Sequence, residues 1–186
     1  MLRRSPMSGC GEPCGLRLLG VSVALSAPEP LGTQHQIGDF NSGVASLDEW
    51  LKRRAIANQA SGAARIFVVC EASKIVGYYA LASGAVNVAA APGRFRRNMP
   101  DPIPIVVLAR QAVDRAHQGR GLGRALVRDG ARRVVHAADA IGIRGILVHA
   151  ISAEAKAFYL GLGFDLSPIE PMTLMVTLAD VCNSIE

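Results

Sequence analysis

Aromatic side chains are scarce in this chain. They make up 5% of its 186 residues, and Trp50 is the only tryptophan. Any core must therefore be mainly aliphatic, and the half of the chain that is hydrophobic supplies it and excludes wholesale disorder. Lysine is rarer still, so arginine carries most of the positive side of a +5 formal charge. That balance suits an anionic partner such as nucleic acid or a phosphorylated cofactor, and plain solubility equally. Cysteine is limited to Cys10, Cys14, Cys70 and Cys182. No disulfide framework follows from these, which makes a reducing cytoplasm the default. Cys10 and Cys14 lack a second pair at zinc spacing, so no metal is expected. Long apolar runs are missing too. Leu16 to Leu25 is interrupted by Arg17, too short for a membrane span and without the apolar stretch of a signal peptide. No repeat or low-complexity tract appears.

The length favours a single domain with a sizeable core. The glycine, cysteine and proline content of the first residues suits no folded element. Residues 1–24 are expected to be a disordered extension or an over-long gene start, and residues 25–186 the domain. From there, Ser46 and Glu49 have capping-box spacing. Leu47, Trp50, Leu51 and Ala55 recur on one helical face that fades near Ser61-Gly62. Ile66–Glu71 and Ile75–Ala82 are β-rich and predict an antiparallel hairpin. Pro92 to Pro104 has the composition of a loop, basic at Arg94, Arg96 and Arg97. Gly145 to Ile151 predicts a short strand, Ser152 the cap of a helix to Leu160, and Met172 to Leu178 a last strand. His149, in an apolar strand, is expected to be a satisfied core histidine. Strands and helices in this order predict one mixed α/β sheet.

The most informative stretch is Val107 to Val127. An apolar run to Val113, interrupted by Arg110 and Gln111, ends at Asp114. Gly119, Gly121 and Gly123 then alternate with Arg120, Leu122 and Arg124, and helical spacing begins. Such a turn suits a phosphate. Glycine allows positive φ and close approach, a helix start offers free N–H groups and its dipole, and arginines add charge-assisted contacts. The Gly-Lys-Ser/Thr ending of a P-loop is absent, and the glycine spacing does not fit the GxGxxG fingerprint.

Gln118-x-x-Gly121-x-Gly123 directly after a strand resembles the acyl-CoA signature of the GNAT acetyltransferases. The strand end Ala112-Val113-Asp114 and the late run Phe158-Tyr159-Leu160-Gly161-Leu162-Gly163-Phe164 are similar to that superfamily in the same order. A narrower likeness rests on Ser42-Gly43 with Leu47–Leu51, Asn58–Gly62, Gly77–Leu81, Arg97–Pro100, and Ser167-Pro168 with Thr173–Met175. These segments look like the TacT-like toxins of type II toxin–antitoxin pairs, over about Leu25 to Asp180. The chain departs from the pattern at Gln111, where an apolar residue is usual.

The resemblance implies a single GNAT domain of α/β (α+β) class, with a mixed, mostly antiparallel sheet, a central splayed strand pair and flanking helices. The strands would part after Gly145. It implies acetyl-CoA as co-substrate, with Ala112 and Val113 bonding the pantetheine arm. Amides of Gln118, Gly119, Arg120, Gly121, Leu122, Gly123 and Arg124 would hold the pyrophosphate, and Tyr159 would be the general acid for the departing thiolate. As a base, Glu154, His149 and Asp114 are available and none stands out. An α-amine of pKa about 7.7–8.0, lowered by an adjacent ester, needs little help. The implied acceptor is aminoacyl-tRNA, acetylated on its α-amine so that translation stops. Arg53, Arg54, Arg96 and Arg97 are candidate contacts to its backbone or, equally, a solvated face. A ribbon-helix-helix antitoxin, a homodimer and a cytoplasmic location complete the picture, with no membrane and no metal. The alternatives are acetylation of a protein or small-molecule amine, and a catalytically dead acyl-CoA-binding module. An intact turn and Tyr159 count against the latter.

Overall fold

The computed structural model describes residues 24–185. The expectation for residues 1–24 therefore lies, Ala24 apart, outside the described residues. In chain order the elements are β1 (Glu29–Pro30), α1 (Ala45–Arg53), α2 (Ala55–Ser61), β2 (Arg65–Glu71), β3 (Lys74–Val86), α3 (Gly93–Arg96), β4 (Ile103–Val113), α4 (Leu122–Ala138), β5 (Gly145–His149), α5 (Ala153–Leu160), β6 (Asp165–Leu166), β7 (Thr173–Thr177) and α6 (Leu178–Ile185). The predicted hairpin forms from β2 and β3, and β3 runs on to Val86. The sheet order is β1-β2-β3-β4-β5-β7-β6, and only β4 and β5 run parallel.

Period-2 alternation gives this sheet two buried faces. On the first, Val76, Tyr79, Leu108, Ile146 and Val176 meet Leu126 and Val134 of α4, Tyr159 of α5 and Val181 of α6. On the second, Ile66, Tyr78 and Ala112 meet Leu47, Leu51 and Ala55 of α1 and α2. Further along that face, Ile105, Leu147 and Met175 meet Phe95 of α3. Gly145 is where β5 crowds its neighbours. A Cβ there would lie 2.1 Å from the Val176 carbonyl oxygen and 2.7 Å from the Phe95 ring.

Two irregularities in β4 shape the centre. Its register against β3 changes between Ala80↔Arg110 and Leu81↔Leu108, so Ala109 is an extra, bulged residue. Its pairing with β5 covers only Val106–Leu108 against Ile146–Val148. The two strands then part, after Val148 and not directly after Gly145.

Three expectations need correction. Ser46 does not cap α1: the N-cap is Val44, with no side-chain cap bond. The chain enters the helix through Ser42 instead, whose N–H and hydroxyl donate to Asp48 Oδ1 at 2.9 and 2.6 Å. The helix pauses at Arg54 before ending, as expected, at Gly62 with φ 76°. The Pro92–Pro104 loop contains the single turn of α3, and Pro104 already belongs to β4.

Candidate active site

The glycine turn begins where β4 ends. Asp114 closes the strand by accepting from Ala116 N at 3.0 Å and Asn41 N at 3.1 Å. Gln118 then acts through its side chain: Nε2 donates to the carbonyls of Val113 and Ser42, both at 2.9 Å. This clamps the turn to the strand end and to the α1 entrance. Gly119 and Gly121 take φ of 74° and 82°, a region that favours glycine. A Cβ on either would meet nothing within 4 Å, so the space above the turn is open. The N–H groups of Gly119, Arg120, Gly121, Leu122, Gly123 and Arg124 have no acceptor among the described residues. They stand at the positive end of the seventeen-residue α4. A cavity of about 340 Å³ lies over them, lined also by Val113, His117 and Phe158. That is the chemistry of an anion site.

The open edge of β4 continues from this turn. Asp114 N–H donates to Val76 at 2.9 Å and Ala112 sits opposite Tyr78. By antiparallel alternation, the backbone groups of Ala112 face β3, and those of Gln111 and Val113 face the gap left by β5. Of the expected pair Ala112 and Val113, only Val113 thus presents its backbone to the gap. Its carbonyl is taken by Gln118, leaving the N–H.

Tyr159 reaches this gap from α5. Ser152 caps that helix as predicted, accepting from Ala155 N at 3.1 Å, and Gly163, at φ 86°, turns the chain after it. Tyr159 is 7% exposed and packs edge-on against Phe158 and Phe164. Burial pushes its pKa up from the ordinary value of 10.0, so the hydroxyl keeps its proton. It donates to Gln111 Oε1 at 2.8 Å, and Gln111 Nε2 donates to the Gly123 carbonyl, also at 2.8 Å. Sequence reasoning did not place Gln111 in the site. The signal was there, as a polar residue inside an apolar strand. A small cavity of about 70 Å³ is lined by Tyr159, Ala155, Leu108, Arg110, Gln111 and His149, with Leu47 among the others. Tyr159 belongs to the first face of the sheet and Leu47 to the second, so this cavity reaches through the splayed pair.

The candidate bases differ sharply. Both Asp114 oxygens serve backbone N–H groups, so it is a structural residue. Glu154 has its pKa lowered by a backbone hydrogen bond and by Ser152, which weakens it as a base. His149 is exposed, not core, because it ends β5 where the pair has opened. Its Nδ1 lies 2.9 Å from Thr173 Oγ1.

Arg53, Arg54, Arg96 and Arg97 are all exposed, with no side-chain partner among the described residues. They sit on α1 and α3 or directly after them, on the second face. Arg94 differs: it bridges Asp165 at 2.6 Å and Asp180 at 3.2 Å, tying α3 to β6 and α6. Arg120 and Arg124 are exposed at the turn. One group of possible metal donors, Glu29, His35 and Cys70, lies within 4.8 Å of one another. His35 already pairs with Glu29 at 3.4 Å, and burial pushes the Cys70 thiol up, which disfavours the thiolate a metal requires.

A seven-stranded mixed sheet with a splayed central parallel pair and a free-amide turn after its longer strand defines a GNAT acetyltransferase. The chain belongs to that family: the Acetyltransferase (GNAT) domain matches residues 62–166. Among particular proteins, it is 52% identical over 155 residues to the tRNA-acetylating toxin of Mycobacterium tuberculosis (strain ATCC 25618 / H37Rv), covering 83% of this chain and 93% of that one. The solved AtaT complexed with acetyl-methionyl-tRNAfMet superposes with TM-score 0.81 at 27% identity, covering 88% of this chain and 100% of that one. A mutant AtaT toxin bound to the C-terminus of the antitoxin AtaR and acetyl-CoA superposes with TM-score 0.73 at 26% identity, covering 84% and 95%.

Proposed function

We propose that this enzyme transfers the acetyl group of acetyl-CoA to the α-amine of aminoacyl-tRNA, and so acts in the cytoplasm as the translation-blocking toxin of a toxin–antitoxin pair. The observation that carries the reading is the hydrogen-bonded link from the glycine turn, with its six free amides, through Gln111 to the Tyr159 hydroxyl at the splayed cleft. Similarity to a protein named as a tRNA-acetylating toxin supports the choice of acceptor.

On this reading the amides from Gly119 to Arg124 hold the pyrophosphate, and Val113 N–H, on the open edge of β4, bonds the pantetheine arm. Gln118 shapes the turn through its side chain. The thioester carbonyl lies in the gap between β4 and β5. The neutral amine attacks that carbon, the C–S bond breaks, and Tyr159 delivers its proton to the departing sulfur. A dedicated base is not required, since the amine itself supplies a neutral fraction near neutral pH. Arg53, Arg54, Arg96 and Arg97 guide the acceptor end from the second face of the sheet. A ribbon-helix-helix antitoxin and a second copy of the chain are the expected partners.

Incubation with a mixture of charged tRNAs and labelled acetyl-CoA, followed by identification of the labelled residue, tests the assignment. Label on the α-amine of the esterified amino acid is the expected result. Label only on protein lysines, or on small amines offered in the same tube, would reject it.

A further inference from the structure

We infer that Gln111 is a positioning residue for the acetyl transfer, which holds the Tyr159 hydroxyl and ties it to the cofactor turn. This rests on Tyr159 being the acid.

The Gln111 side chain, on β4, hydrogen-bonds both the Tyr159 hydroxyl and the Gly123 carbonyl of the turn. Its amide has a fixed sense, because the Gly123 carbonyl can only accept. Nε2 must face Gly123, and Oε1 therefore faces Tyr159. The Tyr159 hydroxyl has a single proton, and in the resting enzyme that proton points at Gln111. Burial keeps the phenol protonated, and the bond to Oε1 holds that proton toward Gln111 until the thiolate forms. It also fixes the rotation of the O–H at the mouth of the cleft. When the thiolate forms, the hydroxyl turns from Oε1 to the sulfur and the proton passes to it. The attacking nitrogen, cationic once it has bonded to the carbonyl carbon, sheds its surplus proton as it becomes the amide, and that proton restores the phenol. The Gly123 carbonyl belongs to the same short segment whose N–H groups face the anion site. The bridge therefore couples how that segment is seated to where the acid stands. An apolar side chain at this position fills the space and does neither.

The test is a double-mutant cycle in the full-length enzyme with charged tRNA and acetyl-CoA. Gln111→Leu removes both bonds at nearly constant volume. It should lower kcat about tenfold, the equivalent of one good buried hydrogen bond to a reacting group, with the KM for charged tRNA and the acetyl-CoA affinity within about twofold of the parent. In a Tyr159→Phe background the same change should cost nothing further. Equal losses in both backgrounds, or parent-level kcat in the single variant, would overturn the inference. Gln111→Glu provides an independent readout should the leucine variant fold poorly. A protonated glutamic acid can still donate to Gly123 and accept from Tyr159, whereas the carboxylate cannot donate. Its kcat should fall as pH rises through a new ionisation that the parent lacks, and a profile parallel to the parent's would also overturn the inference. The underlying reading fails separately: Tyr159→Phe would then be as active as the parent by itself.

Discussion

In the proposed mechanism Tyr159 is the acid, and its surroundings suit that role. Phe158 and Phe164 pack edge-on against its ring, and burial raises its pKa from 10.0. A raised pKa keeps the phenol protonated further into the alkaline range. The amine, by contrast, becomes a nucleophile as it loses a proton, so its reactive fraction grows with pH. The rate should therefore rise through the amine's pKa and then level off, with no descending limb below about pH 10. A bell with a fall near pH 8 would point to a different acid. Tyr159→Phe retains the ring packing and removes the proton. It should fold, bind acetyl-CoA like the parent, lose roughly 10²–10⁴-fold in kcat, and permit growth when expressed. Growth arrest at parental strength would show that the acid lies elsewhere.

The elements around the site divide into those that present it and those that shape it. The glycine turn presents it. Since a Cβ at Gly121 would meet open space, Gly121→Val should cost only backbone strain, on the order of 1–2 kcal/mol, and leave the fold intact. The added side chain would stand where the proposed mechanism places the pyrophosphate, so calorimetry should show acetyl-CoA binding abolished. Unchanged affinity would remove the turn from the cofactor site. Helix α5 shapes the site. Ser152 satisfies one orphan N–H at its start, so Ser152→Ala should lower stability by about 1 kcal/mol and Tm by roughly 2–4 °C. A melting curve superimposable on the parent's would show that packing alone sets that helix.

Across the whole molecule, the glycine turn and Tyr159 serve the first face of the sheet while Arg53, Arg54, Arg96 and Arg97 stand out from the second. This division would let cofactor and acceptor approach from opposite sides and meet in the cleft. Phosphate contacts of this kind release counterions, so tRNA affinity should weaken with salt by a logarithmic slope of roughly 0.7–0.9 per phosphate engaged. Paired Arg→Ala changes on α1 or α3 should raise the KM for all accepted tRNAs about equally, shallow that slope and spare acetyl-CoA binding. Slopes and affinities equal to the parent's would make these four arginines a solvated surface. Arg94 should behave differently. Its two carboxylate partners make its loss a matter of α3 docking and not of tRNA affinity.

Much of this protein was legible along the chain because the information is local. Gln118-x-x-Gly121-x-Gly123 encodes its own turn, since positive φ and free amides need only glycines and a following helix. Ser152 encodes a cap, and alternation in Ile66–Glu71 and Ile75–Ala82 encodes a hairpin. Ser46 misled for the same reason: capping-box spacing is local, and Ser42 bonding to Asp48 displaced it. Whether Arg94 was free could not be read, because Asp165 and Asp180 lie far away in sequence. The place of Gln111 was the least legible of all. A strict period of two from Ile103 would send it to the second face beside Ile105 and Val107. The bulge at Ala109 adds one residue, reverses that parity and turns Gln111 toward Tyr159 and Gly123. The chain by itself determined the turn, the tyrosine and the order of elements. Only the tertiary structure decided where β4 and β5 part and which side of the sheet a single glutamine faces, because both depend on strand register, which is set by partners distant in sequence.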